Sequence, residues 1–281
     1  MREIPSELIA QTVERLFLEA NYILPPDMIS LLRKGEKEET SPEARAVLES
    51  ILENAALAAE GEYPLCQDCG MAAVFVDLGQ EILITGDSLE AAATEGVRRA
   101  YDKGYLRKSI VGEPLFERKN TGDNTPALLR VRIVPGDKIK ITAAPKGAGS
   151  ENMSALAMLS PAAGAGGVEE FVVDTVRKAG PNPCPPIVVG VGVGSNFEGV
   201  ADLAKRALLR PEGERNPHPQ YSAMEDRLLQ RINGLGIGAA GYGGTVTALG
   251  VKIEWAPTHI ASLPVAVSIC CHANRHSAAV I

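Results

Sequence analysis

Apolar residues Leu8, Ile9, Val13, Leu16, Phe17 and Ala20 recur at three- and four-residue spacing, which predicts an amphipathic helix from about residue 5. Pro25 and Pro26 break that run, and a second helix is predicted to start at Pro26 and to carry Met28 to Leu32. Ser41 offers a cap and Pro42 suits a first helical position, so a third helix is predicted through Val47, Leu48, Ile51, Leu52 and Ala55 to about Ala59. From Ala72 the period changes. Residues 72–78 and 82–84 read as strands joined by Gly79-Gln80, and 88–103 reads as a helix capped by Asp87 or Ser88. Residues 127–134 and 138–144 read as a strand pair around the turn Pro135-Gly-Asp137. Helices are expected over 152–159, 168–178, 199–209 and 223–232, and strands over 187–193, 245–252 and 264–270. The pattern predicts an α/β fold of mixed α and β: a helical N-terminal region of about residues 1–60, then mixed strands and helices, with no repeat and no linker over 1–281.

Composition narrows the function. Hydrophobic residues are 45% and charged residues 22% of 281, the balance of a globular chain. Aromatics are only 4% and the formal net charge is −7, which argues against nucleic-acid binding by base stacking or a basic face. The acid-bearing start predicts no signal peptide, and no window approaches 18 uninterrupted apolar residues, so no membrane span is expected. A cytoplasmic protein is expected, in which cysteines serve metals or catalysis more often than disulfides.

Five cysteines are present: Cys66, Cys69, Cys184, Cys270 and Cys271. Cys66 and Cys69 form a C-x-x-C, but no second pair follows at zinc-finger spacing, and a strand rather than a helix follows Gly70. If Cys270 and Cys271 are extended, their side chains face opposite ways, so one of them serves a given site. That leaves one cysteine from each of three regions: 66 or 69, 184, and 270 or 271. Three thiolates can hold an iron–sulfur cube and leave its fourth iron open, where electron-transfer clusters take four. Buried small residues are the competing explanation.

Three glycine-rich runs accompany them. Lys146-Gly-Ala-Gly-Ser-Glu-Asn152, set before an expected helix, could offer backbone N–H groups to an anion, but lacks a P-loop ending. Gly190-Val-Gly-Val-Gly-Ser195 completes no dinucleotide fingerprint. Gly234 to Thr245 is rich enough in glycine for close backbone approach to a ligand or another chain.

Pro64-Leu-Cys-Gln-Asp-Cys-Gly70 resembles the P-x-C-Q-D-T-G signature of class I, iron–sulfur-dependent fumarate hydratases. Asn182-Pro-Cys-Pro-Pro through Gly194, and His259-Ile-Ala-Ser-Leu-Pro through Cys271, resemble that family's second and third cysteine segments, and Lys146–Asn152 its Lys-Gly-Gly-Gly-Ser-Ala-Asn. The match runs in order along nearly the whole chain and resembles the α subunit or N-terminal part. L-tartrate dehydratase has the same two-part layout.

The resemblance implies a [4Fe-4S] cluster held by Cys66, Cys184 and Cys271 with one open iron. It implies Asp68 and His259 as catalytic residues, and Gln67, Arg107 and Gly149 as substrate-binding residues. The implied activity is reversible hydration of fumarate to L-malate, a reaction of the TCA cycle. The implied partners are a dicarboxylate substrate and a β subunit carrying the rest of the site, in an α2β2-type heteromer. L-tartrate dehydration is the alternative; an electron-carrying iron–sulfur protein or a zinc module on Cys66 and Cys69 are the readings from other classes.

Overall fold

The computed structural model describes residues 1–211 and 213–281. In chain order its elements are β1 (Arg2–Pro5), α1 (Ser6–Tyr22), α2 (Pro26–Glu38), α3 (Pro42–Ala59), β2 (Met71–Gly79), β3 (Ile82–Thr85) and α4 (Leu89–Lys103). Then come β4 (Leu128–Val134), β5 (Ile139–Lys146), α5 (Ala148–Glu151), β6 (Ala155–Leu159), α6 (Gly164–Ala179) and β7 (Ile187–Ser195). The chain closes with α7 (Phe197–Ala207), α8 (Pro219–Asn233), β8 (Ala248–Thr258), β9 (Leu263–Cys270) and β10 (Ser277–Val280). The fold is α/β. None of the described helices is long and apolar enough to cross a membrane.

The chain divides into two compact units. The first comprises Met1–Pro25, Ala55–Ala148 and Arg275–Ile281. Its main sheet has the order β10-β5-β2-β4, with β2 antiparallel to β5 and parallel to β4. Ile9, Val13, Leu16 and Phe17 of α1 and Val97 and Tyr101 of α4 join Val74, Val76, Ile139 and Ile141 in one core. The helical period of α1 is thus what buries it. Ser88, not Asp87, caps α4, its hydroxyl accepting from Ala91 N–H at 3.1 Å.

One strand pairing read from sequence is corrected here. β4 and β5 are not neighbours, because β2 lies between them. β3, joined to β2 by Gly79-Gln80, pairs in parallel with β1. The turn at Pro135-Gly-Asp137 is used otherwise: a Cβ on Gly79 would meet Gly136 O at 2.4 Å, so the turn packs against the end of β2.

The second unit comprises Pro26–Asn54 and Gly149–Asn274. Its sheet has the order β6-β9-β7-β8, with only β7 and β8 parallel. Val189, Val191 and Val193 of β7 pack in one core with Val172 and Val176 of α6 and Leu228 and Ile232 of α8. On the other face, Cβ atoms on Gly190 and Gly192 would lie 2.2 Å from Ala204 O and Val200 O. The Gly-x-Gly run thus seats α7 directly on the strand, and burial on both faces explains the unbroken apolar run.

The helix expected over 152–159 is a strand. Ala155-Leu-Ala-Met-Leu159 has good helix formers, but β6 pairs antiparallel with β9 from Ala155↔Val267 to Leu159↔Leu263, and tertiary pairing overrides local propensity. The only helix there is α5, inside the glycine run.

The third glycine run encloses a carboxylate. Glu39 is fully buried and accepts N–H donors from Thr40 at 2.7 Å, Ser41 at 2.9 Å, Thr245 at 2.9 Å and Val246 at 2.9 Å. A Cβ on Gly244, at φ +109°, would sit 2.3 Å from the Glu39 carboxylate. Burial by itself pushes this carboxyl up, but the N–H groups of Ser41, Thr245, Val246 and Thr40 outweigh it and hold it below the usual range. A lowered folded-state value contributes stability above the unfolded value of about 4.3, lost as pH falls through the folded one. Glu39→Gln should therefore cost about 3 kcal/mol at pH 7, less as pH falls below about 4, by urea unfolding at both pH values.

Candidate active site

In the first unit, residues 64–70 form a loop between α3 and β2 whose last three carbonyls, of Asp68, Cys69 and Gly70, are each engaged. Arg275 donates through Nη2 to Asp68 O. The Tyr101 hydroxyl lies 2.6 Å from Cys69 O and 3.1 Å from Gly70 O, and Asn124 Nδ2 donates to Gly70 O at 3.2 Å. Gly70 holds φ +75°, and a Cβ there would come within 2.7 Å of the Lys146 backbone. Only glycine fits that turn.

The two thiols of this loop differ. Cys69 is 1% exposed, belongs to the core and accepts Arg107 N–H at 3.1 Å. Burial pushes its thiol up, keeping it neutral. Cys66 is half-buried, accepts Asp68 N–H at 3.4 Å and contacts Gln67 Oε1 at 3.3 Å. Gln67 is exposed. The Asp68 carboxylate is engaged at both oxygens, with Gly70 N–H at 3.0 Å and Ala148 N–H at 2.8 Å. It ties the cysteine loop to the glycine loop, as an orienting group does. The Ala148 N–H that the sequence offered to an anion is thereby occupied.

Arg107 stands apart from its basic neighbours. Arg98 pairs with Glu95 and Asp123, Arg99 with Glu7 and Glu95, Lys103 with Glu14 and Lys108 with Asp102. Among the described residues the Arg107 guanidinium has no such partner, and the side chain is exposed. Its backbone N–H is anchored on Cys69, so the side chain springs from beside the cysteine loop, and its planar fork suits a carboxylate.

In the second unit, Cys184 lies just before β7 and Cys271 just after β9, where Val188 and Cys270 pair. Cys270 is 4% exposed, Cys271 half-buried and Cys184 exposed at φ +55°. The two segments are clamped by His272, whose Nδ1 lies 3.1 Å from Cys184 O. Since a carbonyl only accepts, that nitrogen carries the proton. Gly149 is at this same end of the sheet, where an added Cβ would lie 3.8 Å from Asn182 O.

His259 is not brought to these cysteines. It lies at the other end of β9, in a turn where its Nδ1 accepts Ala261 N–H at 3.1 Å. At about 3.3 Å per residue, β9 separates its two ends by roughly 23 Å. Motif proximity in sequence does not survive an extended strand.

No disulfide joins any of the five cysteines. Among the described residues no three His, Cys, Asp or Glu side chains are grouped to hold a single metal ion. Thiolates on an iron–sulfur cube bond to different irons and need no such tight grouping. By the chemistry of the donors the residues present fit an anionic iron–sulfur group. The second unit offers the accessible thiols Cys184 and Cys271; the first offers Cys66 and, beside its loop, the buried Arg275 guanidinium, whose Nε and Nη1 have no hydrogen-bond partner among the described residues. Sequence reasoning missed Arg275, Tyr101, Asn124 and His272. The run Cys271-His-Ala-Asn-Arg275 was the available signal for two of them.

Residues 10–280 match the family described as Fumarate hydratase (Fumerase). A protein of Methanocaldococcus jannaschii, provisionally named L(+)-tartrate dehydratase subunit alpha, is 43% identical over 274 residues, covering 96% of each chain. L(+)-tartrate dehydratase subunit alpha of Escherichia coli strain UTI89 is 34% identical over 256 residues, covering 90% of this chain and 84% of its own. Its counterpart in Escherichia coli K12 is 33% identical over the same length. Cysteine motifs, glycine loop and whole-length similarity agree: the chain belongs to the fumarate hydratase (Fumerase) family.

Proposed function

We propose that this chain is the cluster-binding α subunit of an iron–sulfur hydro-lyase acting on a four-carbon dicarboxylate, fumarate and L-malate in the first reading. Cys66, Cys184 and Cys271 are the proposed ligands. The observation that carries this is the sorting of the thiols: Cys69 and Cys270 are packed into cores, while one accessible cysteine remains in each of the three motifs.

When bound, the cluster supplies a Lewis acid that makes hydroxide a better leaving group. Arg107 binds a substrate carboxylate through its planar fork and stabilises charge developing there. Gln67, exposed beside Cys66, hydrogen-bonds the substrate. Asp68 orients the loop; with both carboxylate oxygens on backbone N–H groups, its role is positioning. Gly149 leaves its backbone open beside Asn182. The C–H proton is removed by a group of a β subunit, a partner supported by the name "subunit alpha" in the relatives. The assembly is proposed as α2β2 and cytoplasmic.

L(+)-tartrate is the second reading, favoured by the names of these relatives. The test is anaerobic copurification with the partner, iron and sulfide analysis, and assay on fumarate, L-malate and both tartrate enantiomers. The expected result is about four irons per α chain and fastest turnover of fumarate and malate. Preference for L(+)-tartrate moves the assignment to the second reading, and zinc without sulfide ends both.

A further inference from the structure

We propose that Arg275 is the positioning residue of the Cys66 loop: it holds the loop backbone and places a buried positive charge beside the anionic group carried by Cys66. The second half rests on the cluster reading above; the first does not.

Arg275 is only 4% exposed, yet it donates to a carbonyl, Asp68 O, rather than to a carboxylate. Among the described residues, its buried Nε and Nη1 have no hydrogen-bond partner. A cation removed from water and left without an anion is costly, and proteins rarely keep one. The groups around it do not supply the anion. The Asp68 carboxylate is turned to Gly70 and Ala148 N–H. The Tyr101 hydroxyl is engaged with Cys69 O and Gly70 O, and Cys69 Sγ accepts Arg107 N–H inside the core. The Cys66 thiol, two residues from the carbonyl that Arg275 grips, is the half-buried donor left in this loop. An iron–sulfur group on thiolates is net negative, and it completes what the guanidinium lacks.

The experiment compares wild type, Arg275→Met and Arg275→Lys, each copurified anaerobically with the partner. Three quantities are measured. The first is deuterium uptake of the peptide over 64–72 in cluster-stripped protein. The second is the rate of iron release to a chelator. The third is the cluster midpoint potential. Arg275→Met is expected to raise uptake in 64–72, to release iron about tenfold faster and to move the potential more negative, since a nearby positive charge favours the reduced, more negative cluster. Arg275→Lys, which keeps the charge, is expected to recover most of the iron retention and potential. Unchanged uptake and release in Arg275→Met overturns the proposal, as does Lys behaving no better than Met. If Arg275→Met does not fold, Arg275→Gln, which removes the charge but keeps a donor for Asp68 O, carries the test: faster iron release and a more negative potential support the proposal, and release and potential equal to wild type overturn it. If wild type itself holds no iron and sulfide, the cluster reading fails, and deuterium uptake still decides whether Arg275 positions the loop.

Discussion

Serine at Cys66, Cys184 or Cys271 is expected to strip iron and to lower hydratase turnover at least about a thousandfold, while serine at Cys69 or Cys270 leaves the iron content near wild type. The magnitude follows from the reaction. A Lewis acid contributes several kcal/mol to expulsion of hydroxide, and each 1.36 kcal/mol is about tenfold in rate. The contrast follows from burial. The Cys69 thiol accepts Arg107 N–H within a packed core, and Cys270 lies inside a sheet, whereas Cys66, Cys184 and Cys271 all retain accessible surface. Cys69→Ser carries its own smaller cost, because a hydroxyl replaces a sulfur in apolar surroundings; thermal unfolding of the iron-loaded protein separates that from ligand loss. Iron retained in Cys271→Ser together with iron lost in Cys270→Ser would reverse the ligand assignment in the third segment.

The second large effect concerns the partner. Iron-loaded chain prepared without a β subunit is expected to turn over substrate at less than about one-hundredth of the complex. A positioned acid or base is worth about 10² to 10⁴ in rate. In this chain the two candidates are otherwise placed: Asp68 binds two backbone N–H groups, and His259 sits at the far end of β9 from Cys271. The measurement is steady-state hydration of fumarate by reconstituted chain with and without stoichiometric partner. Equal rates would place the base in this chain after all.

The sequence carried much of the local structure. The helices over the first sixty residues, the Ser41-Pro42 start and the strand at 187–193 were legible because each rests on neighbours in the chain: periodicity, a cap, a β-branched run. The three cysteine motifs and the glycine loop were legible for the same reason. The helix expected at 152–159 failed because its partner, β9, begins more than a hundred residues later. The hairpin expected around Pro135 failed because β2 takes the place between β4 and β5.

The sequence by itself determined which residue types are available to the proposed chemistry: thiols in three segments, an arginine, a Gln-Asp pair and glycines where backbones must meet. Tertiary structure alone decided which member of each cysteine pair is packed away, that Arg107 is the unpaired cation of its run, and that Arg275 is buried against Asp68 O. It also decided that His259 and Cys271 sit at opposite ends of one strand. The physical reason is that residue identity and short spacing are properties of the covalent chain. Burial, pairing and separation depend on which distant segments exclude water together, and no short stretch of sequence records that.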